Sequence, residues 1–461
     1  MKKARVLIWV SHRLKWKSLI TVTIKNNYRI NMIKKIVLGV SLLVSSSSFA
    51  QNPTPADTAT KRILLLGGIA HVGNGTVIEQ SAIGIAQGKI TFIMDGKGFK
   101  PARTAFDTII DIYGKHVYPG LIAMNTVLGI NEIEAVRATH DYDEVGNVNP
   151  SSRAIIAYNT DSKVTPTVRS NGILLAQVAP TGGLISGQSS VVELDAWNYE
   201  DAAYKIDEGI WLNFPSTQII KASWADSEEE QMKRSAKQMQ DLTTLFDNAK
   251  VYSTTKNPEV INQNLEAMRG LFNHTKTLYV RCNFAKDILA AIKFCEIYKV
   301  RMVLCGAADA WMLADELKSR NIPVILERTQ NLPRRDDEDV YLPYKLPSLL
   351  MKKGIDVSIT DEGFWKDRNL PFQAGQAVSY GLTKEEALQT ITLNPARILG
   401  IDKTVGSLED GKDATLIIST GDILDMKSSI VTSAYIRGKE INLDNIQEQL
   451  YRKYLKKYKL D

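Results

Sequence analysis

Short apolar runs recur through the middle of the chain, separated by stretches in which apolar residues return at helical spacing. The runs at 117–122, 173–178, 191–194, 210–214, 277–282, 301–305, 322–326 and 356–359 have the length and composition of buried strands. Between them, 284–298 places Ile288, Ala291, Ile292 and Cys295 on one helical face, and 308–319 sets Met312 and Leu313 beside Glu316 and Leu317. A long helical pair fills 227–272, opened by Ser227 with Glu230 three residues on, the pattern of a capping box. Leu382-Thr383 introduces another helix carrying Glu385, Glu386 and Leu388. Strands that alternate with helices predict a parallel sheet, and eight strands are the number that closes a (β/α)8 TIM barrel.

The two ends have another texture. Residues 63–94 read as short strands broken by Gly67-Gly68, Gly75 and Gly88, and 405–437 repeats that pattern around Gly406 and Gly411. The ends are therefore expected to meet as one small composite β-sandwich. The implied divisions are 1–50 as an N-terminal extension with signal peptide, 51–115 and 405–443 as the two parts of the sandwich, 116–404 as the barrel, and 444–461 as a C-terminal helix. His71 falls in a turn and is expected to face solvent. The apolar stripe Ile446, Leu450, Tyr454 and Leu455 of the last helix is expected to pack on the body of the protein, with docking on a membrane surface as the alternative.

Composition changes the picture mainly at the start. Ile33-Lys34-Lys35, an apolar 36–44 and Ser48-Phe49-Ala50 form the basic, apolar and small-residue regions of a signal peptide cut after Ala50, which predicts export to the periplasm without a stable membrane span. The basic prefix before it suggests translation from Met32. Removing 1–50 takes ten of the 57 Lys/Arg and none of the 51 Asp/Glu, leaving 47 against 51, a net charge of −4. The basic balance thus belongs to the leader and gives no argument for nucleic acid. Cys282, Cys295 and Cys305 are odd in number and lack zinc-knuckle spacing, so buried free thiols are expected, although export permits a disulfide.

Residues 114–130, GKHVYPGLIAMNTVLGI, combine a buried strand, a Pro119-Gly120 break and a polar loop at Asn125. With 179–197 (APTGGLISGQSSVVELDAW), 359–363 (ITDEG) and 387–418 (ALQTITLNPARILGIDKTVGSLEDGKDATLII), this frame resembles the amidohydrolase superfamily, in particular its imidazolonepropionase-like exported bacterial group. The resemblance covers roughly residues 60–445. It implies the barrel and sandwich already inferred, and hydrolysis of C–N bonds by one or two divalent metals. Those metals are held by His-x-His after the first strand, a histidine after each of the fifth and sixth, and an aspartate after the eighth.

Carried onto this chain, the first pair falls on Asn125 and Val127, the fifth-strand histidine on Arg281, and the sixth on Cys305 or Gly306. Only the aspartate is kept, as Asp361. Valine binds no metal, and arginine is a permanent cation that offers donors alone. The histidines past the leader, His71, His116, His140 and His274, miss every ligand position. Arg281 is expected to replace the metal's charge and to pair with Asp361. A mixed metal site from Asn125, Cys282, Cys305, Asp361 and Glu362 is the competing arrangement. Asn131, Glu132, Gln188 and Glu362 are candidates for the substrate side, with 182–188 as a substrate-side barrel loop or merely a tight turn. No Gly-x-Ser-x-Gly elbow or phosphate loop assembles. Two function classes follow. One is a non-catalytic subunit or small-molecule binder without cofactor, beside an active paralogue or self-associated. The other is a C–N hydrolase with a single or atypical zinc or other divalent metal and Asp361 as base.

Overall fold

The computed structural model describes residues 53–102 and 104–460, so the signal-peptide and start-site expectations lie outside the described residues. Seven strands come first: β1 (Ile63–Leu66), β2 (Ile69–His71), β3 (Val77–Ile78), β4 (Ser81–Ala86), β5 (Lys89–Asp95), β6 (Thr108–Asp111) and β7 (His116–Pro119). The middle supplies β8 (Leu121–Thr126), β9 (Ile173–Val178), β10 (Ile185–Glu193), β11 (Ala203–Asn213), β12 (Thr277–Cys282), β13 (Met302–Gly306), β14 (Val324–Leu326) and β15 (Val357–Ile359). The end adds β16 (Leu416–Ser419), β17 (Val431–Ile436) and β18 (Lys439–Glu440).

The eight middle strands form one sheet in sequence order, as the alternating pattern predicts. A parallel bridge between Thr126 and Gly363, with the Val127 N–H donating to the Gly363 carbonyl at 3.0 Å, brings its two ends together into a nearly closed barrel. Period two sorts the side chains. Tyr279, Val303, Cys305, Ile325 and Ile359 belong to one apolar cluster, while Leu278, Val280, Leu304, Val324 and Val357 join the helical residues Leu242, Phe246, Ile288 and Ile292 in another.

Two departures from the expected barrel have local causes. The run 117–122 is not one strand. It divides at Gly120, where β7 pairs with β16 and β8 with β9. A Cβ on Gly120 would lie 2.9 Å from both Leu174 Cδ1 and Thr415 Cγ2, so a larger residue at this passage from one sheet to the other would have to push those side chains aside. Secondly, β10 runs antiparallel to both neighbours, and it begins at Ile185 instead of 191. The connection after β9 is too short for a helical crossover, so the chain can only turn back. Consequently the expected loop 182–188 is a tight turn at Gly182 and Gly183, both at positive φ, followed by strand.

Both chain ends do join: beside a four-stranded sheet of N-terminal strands (order β5-β4-β1-β6), strands of both ends share a six-stranded sheet (order β18-β17-β16-β7-β2-β3). Ile63, Leu65, Ile83 and Ile85 pack there with Leu408, Leu416, Ile418 and Tyr435. His71 is not turned to solvent. The parallel pairing of β2 and β7 puts its Nε2 3.0 Å from His116 Nδ1, its Nδ1 lies 2.7 Å from Glu385 Oε1, and its ring stacks on Tyr118. The long helix Glu228–Thr254 starts with the expected capping box, as does Lys384–Gln389 at Thr383.

The C-terminal helix Ile446–Tyr458 differs from expectation, since it buries no residue. Asn445 anchors its start through Nδ2 to Ser170 Oγ at 3.1 Å, and Ile446, Leu450 and Tyr454 remain exposed. Among the described residues no helix is long and apolar enough to cross a membrane.

One buried ion pair ties the N-terminal segment to the barrel. Arg169 Nη1 lies 2.5 Å from Asp195 Oδ1 and also donates to the Leu194 carbonyl at 3.0 Å, while Asp195 Oδ2 accepts the Ala56 N–H at 2.8 Å. Both side chains are nearly inaccessible. Removing one partner of such a pair strands the other charge, so Asp195→Ala is expected to lower the unfolding free energy by about 3–5 kcal/mol. The double change Arg169→Met with Asp195→Leu should cost clearly less. Denaturant unfolding of both variants checks the order; equal losses would show that packing, not the stranded charge, sets the cost.

Candidate functional site at the barrel mouth

The C-terminal strand ends bring together four of the positions singled out from sequence. Asn125 is the next-to-last residue of β8 and adopts φ +52°, a left-handed conformation that asparagine tolerates better than most residues. Arg281 sits near the end of β12, Cys305 near the end of β13, and Asp361 just past β15.

Arg281 reaches across the mouth. Its Nη2 donates to Asn125 Oδ1 at 2.9 Å and to the Pro180 carbonyl at 3.0 Å, and its Nη1 to Ser186 Oγ at 3.3 Å and Asn213 Oδ1 at 3.5 Å. Since β8 and β12 stand four places apart in an eight-stranded ring, the bond to Asn125 joins opposite walls of the barrel. Beneath the guanidinium lies Trp211, its ring centroid 4.2 Å from the Arg281 Cζ. Cation–π attraction is strongest over tryptophan and grows as water is excluded. Trp211 in turn stacks on Tyr279, with ring centroids 4.7 Å apart.

The barrel interior closes this chain of contacts. Tyr279 OH donates to Glu208 Oε2 at 2.7 Å, and Glu208 Oε1 accepts from Gln177 Nε2 at 2.7 Å and Ser189 Oγ at 2.5 Å. The other end of the Gln177 amide accepts the Asn125 backbone N–H at 3.3 Å. A continuous circuit therefore runs Arg281, Asn125, Gln177, Glu208, Tyr279, Trp211 and back to Arg281. Burial raises the pKa of Glu208, opposed by these donors, and lowers that of Arg281 to about 10, which leaves the guanidinium charged at neutral pH.

The expected pairing of Arg281 with Asp361 is not formed. Among the described residues no carboxylate lies within 4.0 Å of the Arg281 nitrogens. The arginine is drawn toward acceptors on β8, β10 and β11, whereas Asp361 keeps a buried Oδ2 without a partner. Burial pushes Asp361 up to about 6, offset in part by Gln373 and nearby basic groups, and pushes the half-buried Glu362 up to about 7 with help from Glu327. Beyond Asp361, the buried Asp367 hydrogen-bonds Thr126 and is held well above the carboxylate range by burial.

The other candidates, and Cys305 itself, take no part in this circuit. Val127 is partly buried against the apolar core and bonds through its backbone alone, to Gly363 and Ile130. Cys305 is 1% exposed, and burial raises its thiol far above the usual range. Asn131 is buried with an unpartnered Oδ1, and Glu132 accepts from Asn159 Nδ2 at 3.1 Å. Gln188 is removed from the mouth: its side chain accepts from Lys276, immediately before β12, because β10 runs toward the strand starts. A narrow cleft opens beside the mouth between Gly306, Leu326, Arg328, Arg334 and Leu342. The wider hollow, about 490 Å³, lies at the opposite end of the barrel among Thr277, Met302, Pro323 and Asp356, away from this chemistry.

As for a metal, no three His, Cys, Asp or Glu side chains converge among the described residues, and the residues at the family's ligand positions are an amide, a hydrocarbon, a cation, a buried thiol and one carboxylate. That set does not fit a divalent ion at the mouth. The three cysteines are free and buried, as their count suggested.

The shifted carboxyls give a pH signature. The folded pKa values of Asp361 and Glu362 lie above the ordinary values of 3.8 and 4.5, so their contribution to stability is full below about pH 4 and is lost as pH rises through about 6 and 7. Glu362→Gln is therefore expected to lose less unfolding free energy than the parent chain between pH 5 and pH 7.5. Denaturant midpoints at the two pH values measure this, and identical slopes would place the Glu362 pKa at its ordinary value.

Comparison with known proteins agrees with this architecture. The model of the amidohydrolase family matches residues 367–441. Amidohydrolase tasK of Hapsidospora irregularis is 30% identical over 113 residues, a stretch covering 23% of this chain and 12% of that protein. The chain thus spans about an eighth of the length of this curated relative. Among solved structures, an amidohydrolase from Thermotoga maritima MSB8 aligns with 82% of this chain and 99% of its own at a TM-score of 0.70 and 21% identity. Molinate hydrolase aligns with 84% and 96% at 0.54 and 13%. At these identities the structural matches speak for the fold alone. Together with the family match over 367–441 and the motifs that frame the barrel, they make the chain similar to the amidohydrolase superfamily in fold and in its C-terminal segment.

Proposed function

We propose that this chain uses the amidohydrolase scaffold to bind a small molecule, with Arg281 occupying the place a catalytic metal takes in such barrels. One observation carries the reading: the Arg281 guanidinium spans the mouth to Asn125, joining two positions where the family resemblance calls for metal-binding histidines. A permanent cation fixed there repels a divalent ion, and without an ion to acidify water the family's nucleophile is missing. Neither Val127 nor the buried Cys305 thiol supplies a compensating ligand.

Metal analysis after incubation with excess zinc and desalting tests this directly. The expected outcome is far below one equivalent per chain. Near-stoichiometric zinc that disappears in Asp361→Asn would overturn the proposal.

A second reading is favoured by Asp361 itself. A carboxyl with an unpartnered buried oxygen and a pKa moved up to about 6 has the character of a general base near neutrality. In that case the chain is a C–N hydrolase with an atypical or single metal. Turnover of amide or cyclic-amide substrates that rises with pH through about 6 and vanishes in Asp361→Asn would establish it.

The basic, apolar and small-residue order of 33–50 supports export, with processing after Ala50. Intact mass of the protein from a periplasmic extract should correspond to a chain starting at Gln51; a species retaining Met1 or Met32 would refute processing there.

A further inference from the structure

Arg281 is a cation supplied with neutral partners only. Asn125 Oδ1, the Pro180 carbonyl, Ser186 Oγ and Asn213 Oδ1 accept its hydrogen bonds, and the Trp211 face covers one side. The same chain solves a comparable problem differently at Arg169, whose guanidinium is matched by Asp195 at 2.5 Å. A part-buried charge stabilised by dipoles and a π face, without an opposite charge in contact, gains strongly when an anion reaches it.

We propose that the barrel mouth is a receptor for a small carboxylate ligand, with Arg281 as the group that recognises its charge. This rests on the reading of the chain as a small-molecule binder and names the ligand class. Three features select a carboxylate over other anions. The Nε–H has no acceptor among the described residues and the Nη1 contacts to Ser186 and Asn213 are long, so the planar Nε/Nη1 edge is the one that two carboxylate oxygens can take over. Glu362 and Asp361 border the mouth, so a dianion such as phosphate meets more repulsion than a single negative charge. The amides of Asn125 and Asn213 and the Ser186 hydroxyl frame the arginine, which suits a ligand bearing a neutral polar group beside its carboxylate. The location is also right in physical terms, since ligands of such barrels bind at the C-terminal strand ends. Arg281 keeps part of its surface open there.

The experiment is ligand titration of the full chain at constant ionic strength in a buffer free of carboxylates. It follows thermal unfolding and heat of binding with acetate, glutarate and N-acetylglycine, and with glutaramide as the uncharged match. Saturable stabilisation by at least one carboxylate and none by glutaramide is expected. Arg281→Lys should weaken the effect by about tenfold or more, because a point charge replaces the fork, and Arg281→Met should abolish it. At pH 8, above the pKa of about 7 of Glu362, Glu362→Gln removes a neighbouring negative charge without touching the arginine and should strengthen it, and this variant keeps the test decisive if Arg281→Met fails to fold. Equal stabilisation by glutaramide, an unchanged response in a folded Arg281→Met, a weaker one in Glu362→Gln, or no saturable response across the carboxylates would overturn the proposal. Binding of glutaramide alone would leave the binder reading standing while removing this one, whereas stoichiometric zinc uptake would remove the binder reading itself.

Discussion

A guanidinium held over the face of Trp211 and bonded to the far wall of the barrel is the interaction on which the mouth of this protein depends. Burial disfavours the charge, and the pull on its pKa toward about 10 records that penalty. The charge persists because the structure surrounds it with oriented dipoles and a π system. Each of these is fixed in turn: Asn125 by its backbone bond to Gln177, Trp211 by stacking on Tyr279, and both Gln177 and Tyr279 by the Glu208 carboxyl. Glu208 is thus the keystone of a polar network inside an otherwise apolar barrel, and such networks are costly when any member lacks a partner. The circuit explains why an arginine resides where metal chemistry is expected: the whole interior is arranged around it.

The strand pattern serves this arrangement. With β10 antiparallel, its first residues, not its last, lie at the mouth, and Ser186 reaches Arg281. The tight turn at Gly182 and Gly183 delivers the Pro180 carbonyl to the same guanidinium, and Asn213 secures the turn by donating to the Gly183 carbonyl at 2.7 Å. A helical crossover at this point would carry β9 and β10 apart in sequence and remove both acceptors. Gly120 plays the corresponding part on the other wall, switching the chain from the sandwich into β8 so that Asn125 arrives opposite β12.

Much of the fold was legible because its causes are local. Apolar runs of strand length, the capping boxes at Ser227 and Thr383, and glycine-bearing turns at both ends mark elements that form where the sequence places them. Strand direction was not legible, since a short connection after β9 leaves the same apolar pattern whichever way the strand runs. That Asn125, Val127, Arg281 and Cys305 stand where the family resemblance implies histidines could be read from the motifs, but the partner of Arg281 could not. Charge complementarity suggests Asp361, whereas the structure supplies amides and an indole from strands distant in sequence. A signal was present nonetheless. Gln177, Glu208, Trp211 with Asn213, and Tyr279 with Arg281 are polar or aromatic residues inside apolar strands, the last two pairs at the period-two spacing that puts them on one face. Isolated polar residues of this kind in barrel strands point inward to a network, and they deserve the scrutiny that ligand motifs receive.

The retained aspartate gains a different meaning in this setting. At a metal centre a carboxylate after the eighth strand is held ionised by the cation beside it. Here the cation is turned toward the opposite wall, and Asp361 is left with Gln373, distant basic groups and a buried oxygen that nothing satisfies. Burial raises its pKa, and Arg328, Lys366 and Arg368 offset that only in part; burial raises Glu362 likewise, with the neighbouring acid Glu327 adding to it. The two carboxyls and Arg281 therefore share the mouth without neutralising one another. An arrangement that keeps a cation and two carboxyls apart at a strand-end opening stores electrostatic free energy that a ligand of the right charge releases, which is the property a binding site needs and a settled structural ion pair lacks.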